Sequence, residues 1–155
     1  MSPETGSSET IALAADHGGF ELKALLIEHL RASGFDVVDL GTYSLDAVDY
    51  PDMAEIIVGA LRAGRARRGV LLCGTGIGAS IAANRNPDIR AALCHDVTTA
   101  RLARRHNDAN GLVLGGRTTG VETAKECLDA FLATAFEGGR HARRVGKLGA
   151  RSPVC

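Results

Sequence analysis

From Ile11 onward, short apolar runs alternate with stretches whose apolar residues recur at helical spacing, the signature of βαβ units and a mainly parallel sheet. The runs read as strands at Ile11–Ala15, Asp36–Leu40, Gly69–Cys73, Ala91–His95 and Gly111–Gly115, flanked by Gly, Asp or Asn. Between them, Leu22, Leu25, Leu26 and Leu30 follow the rhythm of a helix burying one face, and Gly34 is placed to end it. Met53, Ile56, Ile57, Ala60 and Leu61 repeat the rhythm; further helices are expected after Thr75, over Val97 to Arg105, and along the stripe Val121, Ala124, Leu128, Phe131, Leu132 and Ala135. A basic segment after Gly138-Gly139 runs through Arg144 to about Gly149. This order predicts a doubly wound, Rossmann-like α/β fold with a five-stranded parallel sheet, most simply 2-1-3-4-5, and a C-terminal helical extension.

At 155 residues the chain suffices for one domain, placed at 11–149. Residues 1–10 read as a disordered leader and 150–155 as a flexible tail. Eighteen basic residues balance eighteen acidic ones, so no bulk attraction to nucleic acid or anionic membrane is expected. Aromatics are 4% and Trp is absent, which leaves the core to Ala, Leu, Ile and Val. Cys73, Cys94, Cys127 and Cys155 form no CxxC pair and have no His spacing suited to zinc, so a reduced cytoplasmic setting is expected. No apolar run approaches the ~18–20 residues that span a bilayer, and the first ten residues lack a signal core.

In a doubly wound sheet, ligands bind beyond the strand carboxyl ends where strand order reverses, here between the first and third strands. Asp16-His17-Gly18-Gly19 ends the first, and Cys73-Gly74-Thr75-Gly76-Ile77-Gly78 ends the third. The glycine loop leads into a helix, so its amides can face an anion or a developing oxyanion. A thiol at a helix N-terminus is favoured as thiolate, able to act as base or nucleophile, although a cysteine there can equally be a small apolar residue finishing a buried strand. The loop also satisfies G-x-G-x-x-A through Gly74, Gly76 and Ala79, with Asp96 about 20 residues on, so a nicotinamide- or nucleotide-binding protein is a rival reading. Against it, the motif follows the third strand, not the first.

Arg104-Arg105-His106-Asn107-Asp108-Ala109-Asn110 falls between the fourth helix and the fifth strand. A helix that returns the chain to a parallel strand ends at the amino edge, opposite Cys73. If His106 serves the same chemistry, it must come from another subunit, which points to a homodimer, or a larger assembly, with composite sites. Otherwise Asn107 and Asn110 cap the helix and His106 answers its dipole. Arg140 and Arg144 are four apart, so on a helix they share a face and could clamp a phosphate, or be a solvated surface. His29 reads as a packed or half-exposed residue of its helix. Asp16 and His17 find no partners at metal-ligand spacing, so no metal is expected.

The strings AADHGGFELK, GT at residue 41, DYPD, CGTGIGASIAANR, RRHNDANGLVLGGR and FEGGRHARRV resemble, in order and spacing, the sugar-phosphate isomerase family that contains type B ribose 5-phosphate isomerase and the galactose 6-phosphate isomerase subunits. The match runs from Ile11 to about Gly149. It implies reversible aldose–ketose interconversion, chiefly D-ribose 5-phosphate to D-ribulose 5-phosphate, without metal or organic cofactor. Pentose, allose, galactose and tetrulose phosphates remain alternatives. The same resemblance makes Cys73 the base that moves a proton between C2 and C1, with Thr75 shuttling a hydroxyl proton. Some members use instead a glutamate at the position that is Ala79 here. His106, from the partner subunit, would open the ring. Asn107 would bind the open sugar and, with the amides of Gly74, Gly76, Ile77 and Gly78, stabilise the enediolate. Asp16 and Tyr50 would hold sugar oxygens, and His17, Arg117, Arg140 and Arg144 would grip the phosphate.

Overall fold

The computed structural model describes residues 8–150, with Ala150 described by its backbone alone. Residues 1–7 and 151–155, which carry most of the expected leader and tail, lie outside the described residues. Five strands alternate with helices as expected: β1 (Thr10–Ala15), α1 (Phe20–Ala32), β2 (Asp36–Asp39), α2 (Tyr50–Arg62), β3 (Arg68–Cys73), α3 (Ile77–Ala83), β4 (Ala91–Leu93), α4 (Val97–Asn107), β5 (Gly111–Gly115), α5 (Val121–Ala133) and α6 (Arg140–Ala150). Among the described residues, no helix is long and apolar enough to cross a membrane.

All the strand pairings are parallel, and the order is β2-β1-β3-β5-β4, which corrects the expected 2-1-3-4-5. Burial explains the exchange of the last two strands. Every residue of β5 is buried and needs a neighbour on both sides, whereas the three residues of β4 are only half-buried and suit an edge. The open side of β4 is closed by Asn84, whose side-chain amide donates to the Ala91 carbonyl and accepts from the Ala91 amide, both at 2.8 Å. The reversal between β1 and β3 is unaffected.

Alternate strand residues feed two apolar layers, because successive side chains point to opposite faces. On one face Ile11, Leu13, Val70, Leu72, Leu112 and Leu114 meet helices α1, α4 and α5; on the other Ala12, Ala14, Leu71, Cys73 and Val113 meet α2 and α3. Phe131 is the one aromatic ring among the fully buried large side chains. In α1 the buried stripe is Leu22, Lys23, Leu26, Ile27 and Leu30, and the expected Leu25 is 40% exposed. His29 is half-buried and bonded to Asp129 at 2.7 Å. Two other expectations are corrected: Thr10 opens β1 and Glu9 is held by Arg68, so residues 9 and 10 of the expected leader belong to the fold; and Ala135 lies beyond α5, exposed.

Lys23 is a charge within the core, 2% exposed, and its ammonium is met by the carboxylate of Asp39 at the end of β2. Removing one partner of a buried pair strands the other. Asp39→Ala is expected to lower unfolding free energy by about 2–4 kcal/mol, somewhat under the usual ~3–5 because Asp39 is 32% exposed. Adding Lys23→Met should recover most of that loss in denaturant titrations. Burial also pushes the Cys127 thiol up to about 11 and raises that of Cys94. Both thiols should therefore resist iodoacetamide in the folded chain at about pH 8 and react on unfolding, as read by peptide mass spectrometry.

Candidate active site

Three loops meet at the carboxyl edge of the sheet, and small residues let them touch. A Cβ on Gly18 would stand 2.9 Å from the Gly74 nitrogen, and one on Gly116 would stand 2.3 Å from the Gly18 carbonyl oxygen. Gly76 begins α3 with φ +79°, in the left-handed region, and a Cβ there would stand 2.5 Å from Leu93. The expected convergence of Asp16 to Gly19 with Cys73 to Gly78 is thus enforced by backbone contact.

Within this cluster Asp16 is 6% exposed, and its Oδ1 accepts from the Gly18 and Gly19 amides at 2.9 and 3.3 Å. His17 accepts the Val48 amide on Nδ1 at 3.2 Å, which assigns its proton in the neutral ring to Nε2. A cavity of about 430 Å³ is lined by Asp16, His17, Val48, Asp49 and Tyr50 with Pro51 and Asp52. Tyr50 is 42% exposed and its ring covers Gly78, where a Cβ would stand 2.4 Å from Cζ. Arg117 flanks Gly74, is exposed, and has no carboxylate partner among the described residues.

The catalytic expectations for the loop are refined by its hydrogen bonds. Cys73 is 4% exposed and does not line that cavity; its Sγ accepts the Gly76 amide at 3.1 Å. Thr75 is exposed and its Oγ1 accepts the Ile77 amide at 3.2 Å, while the Ile77 side chain is 54% exposed. The amides of Gly76 and Ile77 are therefore already engaged. Those of Gly74, Thr75 and Gly78 have no acceptor among the described residues and are the donors left for an oxyanion.

The remaining expected site residues gather at the opposite edge. His106 and Asn107 end α4, which turns through Asp108 in the left-handed region at φ +46°. Arg104 holds the Asp108 carboxylate at 2.9 Å and Arg90 lies 3.6 Å away. The chain then enters the sheet, where the Asn110 carbonyl accepts the Gly69 amide at the start of β3. From there to Cys73 is the length of a five-residue strand, roughly 13 Å at ~3.3 Å per residue. Arg140 and Arg144 lie on α6, exposed and without a carboxylate partner among the described residues.

Sequence reasoning passed over His141 and Glu137. The His141 ring is stacked on that of His106, with centroids 4.5 Å apart and planes 13° from parallel. Burial, then the neighbouring His106 and Arg140, holds its pKa below the ordinary value. His141 stands between the two arginines of the expected clamp, but nothing in a basic run reveals which member turns inward. The rival dinucleotide reading loses its acidic residue, because the Asp96 carboxylate caps α4 by accepting the Thr99 amide at 2.7 Å.

Residues 11–148 match the family model described as Ribose/Galactose Isomerase. The chain is 46% identical over 135 residues to ribose-5-phosphate isomerase B of Escherichia coli, covering 87% of this chain and 91% of that protein. It is 43% identical over 144 residues to D-erythrulose-4-phosphate isomerase of Pectobacterium atrosepticum, covering 90% and 93%. The solved ribose 5-phosphate isomerase of Thermotoga maritima superposes with a TM-score of 0.89 at 52% identity, covering 91% of this chain and 97% of that one. A conserved scaffold over nearly the whole length, with the glycine loop at its switch point, settles the assignment: the chain belongs to the ribose/galactose isomerase family and is a sugar-phosphate isomerase.

Proposed function

We propose that the chain interconverts D-ribose 5-phosphate and D-ribulose 5-phosphate, in sites built from two copies of the chain. The observation that carries this reading is the split of the expected residues between the two edges of one sheet. Asp16, His17, Tyr50, Cys73, Thr75 and Arg117 stand at one edge, and His106, Asn107, Arg140 and Arg144 at the other. A symmetric dimer that apposes these edges completes two identical sites.

In such a site His106 of the second copy exchanges a proton with the ring oxygen and anomeric hydroxyl, opening the furanose. Asp16 and Tyr50 hold sugar hydroxyls beside the cavity. Cys73 takes the proton from C2 as thiolate, and the electrons left on carbon form a cis-enediolate whose oxygens face the free amides of Gly74, Thr75 and Gly78. Thr75 passes a proton between the O1 and O2 positions, and the Cys73 thiol returns its proton to C1. Asn107 supports the open chain. His17, Arg117, Arg140 and Arg144 bind the phosphate, remote from the reacting carbons, and its binding energy orients them. The reaction only redistributes hydrogen within one molecule, so the route calls on no external oxidant or organic cofactor.

The Pectobacterium relative, named for a tetrulose phosphate, keeps a shorter substrate as the second reading. Turnover measured over a panel of four- to six-carbon aldose phosphates decides between them, the ribose ester being expected to give the highest kcat/KM. Cys73→Ala, correctly folded, is expected to lose about 10²–10⁴-fold in kcat, the usual contribution of a general base. Wild-type turnover would refute the thiolate mechanism. Mixing Cys73→Ala with His106→Ala under subunit exchange should recover about a quarter of wild-type activity, since half of randomly formed dimers are hybrids with one intact site. Proven exchange without recovery would show that each site is made within one chain.

A further inference from the structure

We propose that His106, Glu137 and His141 form a site for a divalent transition-metal ion, zinc foremost, whose occupancy takes His106 out of the catalytic cycle. The three side chains come from the end of α4, the loop before α6 and its first turn, and their donor atoms all lie within 4.8 Å of one another. Glu137 Oε1 is 3.9 Å from His141 Nε2. That nitrogen is the independent observation: His141 is 6% exposed, and its Nε2 has no hydrogen-bond partner among the described residues. A buried ring nitrogen with a carboxylate 3.9 Å away and a second imidazole stacked beside its ring lacks only an atom to bind.

The donor set selects the ion. Two imidazoles and one carboxylate, with a fourth position open, match the three-ligand arrangement of zinc sites, whereas calcium and magnesium favour oxygen donors. Zinc–ligand bonds of ~2.0–2.2 Å place tetrahedral donors ~3.3 Å apart, so the cluster has to close by roughly an ångström. Glu137 is exposed and His106 half-buried, so both can swing onto a nitrogen that stays in place, the His106 ring tilting out of its stack. Glu137 must give up Arg105, 3.3 Å away, and Arg105, Arg140 and Arg144 all disfavour a dication. Micromolar affinity is therefore expected. The inhibitory part rests on the ring-opening role proposed above for His106; the site itself does not.

The test uses the full chain and cobalt as a visible stand-in for zinc. One Co²⁺ per chain is expected, with the ligand-field bands of a four-coordinate nitrogen–oxygen site and displacement by Zn²⁺. Glu137→Gln and His141→Asn should each weaken binding at least tenfold. Zinc added to saturate the site should then abolish isomerisation of ribose 5-phosphate, and a chelator should restore it. Absence of saturable binding, a sulfur-to-cobalt charge-transfer band placing the ion on a cysteine, or unchanged affinity in both variants would overturn the site. Since Glu137 is exposed, Glu137→Gln keeps the test decisive even if His141→Asn fails to fold. Zinc bound at the triad with turnover intact would leave the site standing and overturn both its inhibitory role and the use of His106 in ring opening.

Discussion

Parallel pairing of all five strands is the constraint from which the rest follows. Each strand must be re-entered from the same end, so strand carboxyl ends share one edge and the ends of returning helices share the other. The loops after β1, β3 and β5 are thereby packed together, while His106 and α6 are held a strand's length away. No side-chain rotation in one chain brings these groups into contact. A site that uses both is necessarily shared between copies.

Close backbone approach does the local work at the carboxyl edge. Gly18, Gly76 and Gly116 let three loops share a space in which a side chain would collide, and the contact leaves amides of the 74–78 loop unpaired. Asp16 spends hydrogen-bonding capacity on the turn that follows it, and so is oriented as well as buried. The cysteine lies on the layer side of β3, among Ala12, Ala14 and Ala79. The proposed base and the core are made from the same strand, with the thiol at its last residue.

Much of this was legible in the primary structure, because β/α alternation and glycine clusters are local signals. The five strands lie within a residue or two of where periodicity placed them, and even the remoteness of His106 from Cys73 followed from counting crossovers. The exchange of β4 and β5 was not legible, since it depends on which strand most needs two neighbours. Nor was the inward turn of His141, because a basic run looks the same whichever member is buried. Lys23 escaped notice for a related reason: a lysine on an apolar stripe reads as an interruption until Asp39 arrives from another strand.

The sequence by itself determined the fold class, the reversal between β1 and β3, and the remoteness of the two groups of candidate residues, all of which rest on spacing along the chain. Only the tertiary structure decided which loop amides remain open, how far Cys73 is covered, and that His106, Glu137 and His141 form one cluster. Those properties depend on distances between segments far apart in sequence, and such distances are set by packing, which periodicity does not encode.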